Sequence, residues 1–172
     1  AYLRARGIEP AITASTGIAA THIGGMTIHS WSGIGIKTKL DKHDLHTIAS
    51  SKYIAKRVLR AKVLIIDEVS MLLPETLSLV DAVCREIRQS LEPFGVMQVV
   101  LVGDFNLLPE TESVRLLERG LRNLVIEHAI PSTRSRLNPY FGTPQEQPHA
   151  DYVFVSPDLC VADFQVPYVQ VS

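Results

Sequence analysis

Cysteine is scarce in this sequence. The two residues present, Cys84 and Cys160, stand far apart and form no metal-type spacing. That excludes a cysteine-built metal cluster and leaves a reduced, cytoplasmic protein as the expectation. No apolar run is long enough to span a bilayer. The first ten residues, AYLRARGIEP, lack the apolar core of a secretory signal. Tryptophan occurs once, at Trp31. Net charge is nearly absent, at −1, but this hides an asymmetry. Residues 1–62 carry ten Lys and Arg against three Asp and Glu, and residues 63–172 carry seven against fifteen. A basic first third suits a polyanion partner, although a solvated face is the commoner reason for such a bias.

What is present is a soluble, globular composition, 46% hydrophobic and 20% charged. The 172 residues give room for one ordinary domain or two small ones. The chain begins at Ala1 inside a helix-like pattern and stops at Ser172 just after a strand-like stretch. Both ends are therefore expected to be cuts.

Residues 2–6 read as the tail of a helix closed by Gly7. Residues 10–15, PAITAS, read as a strand entering a polar turn, Thr13-Ala14-Ser15-Thr16-Gly17. Hydroxyls and backbone N–H groups there can hold a phosphate, but by itself the segment reads as an ordinary capped turn. Next comes GGMTIHSWSGIGI, residues 24–36. An exposed aromatic on such a loop can stack on bases. A lone Trp is more often a core residue, and a lone His more often a structural one. Asp44 is expected to cap a helix running to residue 60.

KVLIIDE, residues 62–68, is four apolar residues followed by two acids. It predicts a buried parallel strand with paired carboxylates at its tip. Asp67 can hold a Mg²⁺ ion through water, and Glu68 can polarise an attacking water. Pro74 opens a helix whose apolar stripe is Leu77, Val80, Val83, Cys84 and Ile87. Residues 98–102 form a further buried strand, followed by a Gly103-Asp104-Phe105 turn. Strand, helix, strand, helix, strand predicts a parallel sheet with helices on its faces. Beyond it, residues 111–119 read as a helix, and residues 125–130, 151–156 and 161–166 as strands, with a Pro-rich connection at 138–149.

Two resemblances follow. TASTGIAATHIGGMTIHSWSGIGI, KVLIIDEVSML and FGVMQVVLVGDF together resemble superfamily 1 DNA helicases of the PIF and RecD-like type, from Ala1 to about Phe105. The resemblance implies a RecA-like P-loop NTPase fold, ATP and Mg²⁺ as cofactors, and translocation on single-stranded DNA. It implies that Thr13, Ser15, Thr16 and Gly17, then Thr27, His29 and Ser30, face the DNA strand. It also implies that Asp67 holds Mg²⁺, that Glu68 activates water, and that Gly103 and Asp104 begin the motif sensing the γ-phosphate. The sequence departs from the family in three respects. The phosphate-binding loop, expected before Ala1, is absent. Leu107 and Glu110 stand where the family has Gln and Pro, and Leu cannot hydrogen-bond a phosphate. The second RecA-like domain is missing.

From Gly103 onward, GDFNLLPETES, GLRNLV, STRS and ADYVFVS resemble the carboxyl half of the endonuclease/exonuclease/phosphatase family, with its deoxyribonuclease-I-like α/β-sandwich. The resemblance implies a phosphodiester substrate, with Asp104 and Asn106 at the scissile phosphate and Asp151 orienting a catalytic His. That His would lie in a Ser-Asp-His triplet beginning where the chain stops. The family's metal-binding Glu belongs to its absent amino half.

The expected architecture is therefore a partial helicase ATPase domain over residues 1–104, with three parallel strands, and a partial nuclease-like domain over residues 105–172. The simplest account is a chimera joined within Val-Gly-Asp-Phe. It can arise by recombination, by construction or by joining two sequences at a shared stretch, and the cut ends and incomplete sites favour the last. Helicase activity in the parent protein is the leading function. A metal-dependent phosphodiesterase and a non-catalytic fragment that binds DNA weakly are the alternatives. The isolated chain is expected to show no measurable catalysis, and its unpaired strand edges to make it prone to aggregate.

Overall fold

The computed structural model describes residues 2–134, 139–140, 142–143 and 146–166. The chain divides into two compact units, residues 1–100 and 101–172.

The first unit opens with a short helix α1 (Tyr2–Ala5), followed by Gly7 at φ +73°. Strand β1 (Pro10–Ala14) is almost wholly buried. Thr16 then caps helix α2 (Gly17–His22), its hydroxyl accepting from the Ala19 N–H at 3.2 Å. The Gly-rich stretch yields a two-residue strand β2 (Met26–Thr27) and a helix α3 (Ile28–Ser32). The hydroxyl of Thr27 accepts from the Ser30 N–H at 3.2 Å, and Gly33 in the left-handed region ends the helix. Trp31 is only 4% exposed, so it belongs to the core.

The single helix expected over residues 44–60 is two: α4 (Lys42–Ala49) and α5 (Lys52–Arg60). The cap is Asp41 rather than Asp44. Its carboxylate accepts from the Asp44 N–H at 2.7 Å while Asp44 reaches back to the Asp41 N–H, a reciprocal capping box. The break falls at Ser50-Ser51, residues that favour helix ends over helix interiors.

Strand β3 (Val63–Asp67) pairs in parallel with β1 along its whole length, Pro10 opposite Val63 through Ala14 opposite Asp67. Strand β2 pairs in parallel on the other side of β1, Ala14 opposite Thr27. After a 3₁₀ turn at Val69–Met71 comes helix α6 (Pro74–Arg88) with Pro at its start, as read from the sequence. Val80, Val83 and Cys84 of its stripe are buried. Arg88 straps the end of this unit together. Its guanidinium donates to the carbonyls of Gly95 (2.6 Å), Val58 (3.0 Å) and Ala61 (3.2 Å).

Strand β4 (Gln98–Asp104) follows β3 in the order β2-β1-β3-β4 and continues into the second unit, where the order is β4-β6-β5. It runs two residues beyond the expected end, so Gly103 and Asp104 belong to the strand rather than to a turn. Helix α7 (Glu112–Glu118) is where the sequence placed it. The strand expected over residues 125–130 is instead a short strand β5 (Arg122–Asn123) and one helical turn, α8 (Leu124–Glu127). A short apolar run fits either state, and one turn of helix buries both Leu124 and Val125.

Strand β6 (Asp151–Val155) forms close to expectation and pairs antiparallel with β5. Tyr152 and Phe154 are fully buried and pack edge-on to Phe105, at 5.7 and 5.6 Å between ring centroids. Residues 161–166 form no strand. Their alternation finds no partner strand, and Phe164 rests instead against His128 at 5.3 Å. Part of the 138–149 connection lies outside the described residues. Among the described residues no helix is long and apolar enough to cross a membrane.

Candidate functional site

In the first unit, three neighbouring strands run in parallel, so their carboxyl ends share one edge of the sheet. This is the edge at which open α/β sheets place their chemistry. From it emerge Ser15-Thr16-Gly17 after β1, Thr27 and α3 after β2, and Asp67-Glu68 at the tip of β3. The first and last of these are linked directly: the Ser15 N–H donates to the Asp67 carbonyl at 3.1 Å.

The expected DNA-facing residues do not share one environment. Thr13 is 0% exposed, and its hydroxyl donates to the Ile65 carbonyl at 2.7 Å. Its side chain therefore stitches β1 to β3 and is not available to a ligand. Ser15 is 9% exposed, and its hydroxyl oxygen is buried without a hydrogen-bond partner among the described residues. Thr16 and Thr27 both serve as helix caps, which for Thr16 matches the ordinary reading of its turn. Gly17 and Ser30 are exposed and His29 is half-buried. The carbonyls of Ser30 and Trp31 are both held by the Arg57 guanidinium, the latter at 2.6 Å. Sequence reasoning gave Arg57 no role, and a basic residue 26 positions away in the chain offers no signal for one.

At the acidic tip, the Asp67 carboxylate accepts from the Glu68 N–H at 3.0 Å. Glu68 sits in the left-handed region at φ 51°, ψ 39°. For a residue other than Gly this backbone is uncommon, and such strain gathers where function fixes a side chain. Two half-buried acids on a fixed turn fit the outer sphere of a hydrated Mg²⁺ ion. A triphosphate needs more. Among the described residues no Gly-rich turn with Lys and Ser/Thr supplies phosphate donors, and no group of three or more His, Cys, Asp or Glu could hold a metal ion. Among the described residues, then, two acids suited to such a site are present and a phosphate cradle is not.

The second unit gathers a different set. The Phe105 and Asn106 N–H groups both donate to the Ala150 carbonyl, at 2.7 and 3.2 Å, tying the end of β4 to the start of β6. The Asp104 carboxylate accepts from the Asn106 N–H at 2.9 Å. The buried Thr133 hydroxyl accepts from the Ala150 and Asp151 N–H groups at 2.9 and 3.1 Å. The Arg134 guanidinium donates to Asn106 Oδ1. Burial and the neighbouring Asp104 charge push the Asp151 carboxyl above its ordinary value, while Arg134 pulls it down. Asp104, Asn106 and Asp151, separated by up to 47 positions in sequence, are thus brought together, with Arg134 as an addition that sequence reading missed.

The model of the PIF1-like helicase family matches residues 1–128, well past the limit near Phe105 set by the sequence motifs. The ATP-dependent DNA helicase Pif1 of Psychrobacter sp. is 54% identical over 112 residues, covering 65% of this chain and 17% of that protein. The ATP-dependent DNA helicase RRM3 of Saccharomyces cerevisiae is 48% identical over 99 residues, covering 58% of this chain and 14% of that protein. The crystal structure of Pif1 helicase from Candida albicans superposes with a TM-score of 0.57 at 35% identity, covering 66% of this chain and 26% of that one. A Bacteroides Pif1 bound to single-stranded DNA gives 0.51 at 34% identity, covering 69% and 28%. The chain spans about a sixth of the length of these curated relatives, and on its family match it belongs to the PIF1-like helicases.

Proposed function

We propose that this chain is the segment of a PIF1-like ATP-dependent helicase that joins the acidic tip of the nucleotide site to the loops facing single-stranded DNA. In the whole protein, ATP hydrolysis drives movement along the strand. The observation that supports this most is the shared edge. Asp67-Glu68, Ser15-Thr16-Gly17 and Thr27–Ser30 leave the same ends of three parallel strands, and the Ser15 N–H holds the Asp67 carbonyl. A shift at the acids is passed to the DNA-side turn through one hydrogen bond and not through a loop. Asp67 holds the hydrated Mg²⁺ ion, Glu68 orients the attacking water, and Asp104 belongs to the γ-phosphate-sensing motif. Ser15, Thr16, Gly17, Thr27, His29 and Ser30 meet the DNA backbone. Thr13 belongs to the sheet.

The isolated chain lacks the phosphate cradle, so it is expected to bind single-stranded DNA with salt-sensitive affinity and to turn over no ATP. Turnover that is lost in Asp67→Asn would contradict this. No DNA binding at low salt would remove the DNA-facing role.

A second reading is supported by the second unit. Asp104, Asn106 and Asp151 converge as a phosphodiester site requires: a carboxylate to orient water, an amide to steady developing charge, and a further acid close by. On this reading the unit is part of a metal-dependent phosphodiesterase fold, and the chain joins two parents. Mg²⁺-dependent cleavage of a phosphodiester without ATP, abolished by Asp104→Asn, would favour it over the helicase reading for residues beyond 103.

A further inference from the structure

We infer that Arg134 is a positioning residue that turns the Asn106 amide so that its NH₂ group faces an incoming phosphodiester oxygen; this rests on the second reading above. A guanidinium has donors only. Because Arg134 donates to Asn106, the amide must present Oδ1 to Arg134 and turn Nδ2 away. Asn106 is exposed, and its side-chain hydrogen bond among the described residues is the one that Oδ1 accepts from Arg134. Its backbone is fixed as well, at φ 47°, with its N–H between the Asp104 carboxylate and the Ala150 carbonyl. An exposed Asn would otherwise sample both flips. Here one flip is selected, and it offers a donor.

Arg134 is itself held on a stapled turn. Its N–H donates to the Ser132 hydroxyl at 3.1 Å, and that hydroxyl donates to the Pro148 carbonyl at 2.8 Å. The Thr133 N–H donates to the same carbonyl at 2.9 Å, and the Thr133 hydroxyl takes the N–H groups that begin β6. The turn carrying Arg134 and the strand carrying Asp151 are therefore one rigid piece. Arg134 Nε is buried with no acceptor among the described residues. Such a donor is costly, so packing alone does not account for an arginine at this position. The ligand class follows from the groups present. The Asn106 NH₂ donor suits a phosphate oxygen, and the nearby carboxylates of Asp104 and Asp151 favour an anion that arrives with a cation.

The test uses the ¹⁵N-labelled full chain with dimethyl phosphate and Mg²⁺ as the probe. In the unsubstituted chain the Asn106 side-chain NH₂ signals should be well ordered and should move saturably with the probe. Arg134→Met should release that order and weaken probe binding about tenfold, the loss of one charged hydrogen bond. Arg134→Lys should recover part of both. The backbone signals of Tyr152 and Phe154 report whether each variant is folded, and the Lys variant carries the test if the Met variant is not. Unchanged Asn106 order and probe affinity in a folded variant would overturn the positioning role and leave the phosphodiester reading standing. An ordered Asn106 that no probe moves in the unsubstituted chain would overturn that reading and the inference with it.

Discussion

Replacing Ser15 by Ala should make the first unit more stable and the chain a poorer DNA binder. The Ser15 side chain lies at the end of β1 with its oxygen buried and unpartnered. Leaving a buried hydroxyl unsatisfied costs about 1–3 kcal/mol. Ser15 is 9% exposed, which puts the cost at the lower end, about 1 kcal/mol. Alanine removes the oxygen and fills nearly the same space. The bond from the Ser15 N–H to Asp67 is a backbone bond and survives the change. For a chain of this size about 1 kcal/mol corresponds to a midpoint rise of roughly 2–4 °C. Urea unfolding should give a higher midpoint with an unchanged slope. Fluorescence anisotropy with a labelled oligothymidine at low salt should show a severalfold weaker complex, because the lost hydroxyl would have donated to the strand. A variant destabilised by 1 kcal/mol or more would refute the reasoning, since the oxygen would then be bonded inside the protein. A stabilised variant of unchanged affinity would keep the packing argument and remove Ser15 from the DNA surface.

Thr13→Val should do the opposite at the neighbouring position: it loses the bond to Ile65, costing about 1 kcal/mol by urea unfolding, with no change in DNA affinity. Gly25→Ala should unfold the β1–β2 edge, because a Cβ there would meet the Ile12 carbonyl oxygen at 2.3 Å, a backbone atom that cannot move aside alone. The measured loss should exceed about 2 kcal/mol. Asp151→Asn should change stability with pH in a fixed direction. The folded carboxyl is raised by burial and by Asp104, so the native state favours the protonated form. The penalty is absent below the unfolded value and grows as pH rises through the folded one. The variant should therefore be stabilised at pH 7 relative to the unsubstituted chain and equal to it near pH 3, with solvent screening holding the gain under about 1 kcal/mol.

Strands β1 and β3 were legible because each carries its own punctuation, whereas the two-residue β2 was hidden in a Gly-rich stretch. KVLIIDE has a continuous apolar run closed by acids, and PAITAS ends in hydroxyls that cap the next helix. The break between α4 and α5 was not, since the apolar positions continue across Ser50-Ser51 and the capping box at Asp41 needs the reciprocal geometry to be recognised. Residues 125–130 were misread because a short apolar run satisfies one helical turn as well as a strand. Within the site, the acids were legible by type and place. The burial of Thr13 was not, because a hydroxyl in a strand gives no sign of which face it takes. Arg134 and Arg57 escaped notice for another reason: each acts on a segment distant in sequence, and a lone arginine carries no spacing signal.

Hydrogen–deuterium exchange of the whole chain, with and without single-stranded oligothymidine at low salt, would test the helicase assignment most directly. The account predicts added protection at residues 15–18 and 27–30, with residues 4–9 and 151–155 unchanged. Protection confined to the second unit, or to the basic residues of α5 with the two capped loops unaffected, would contradict it.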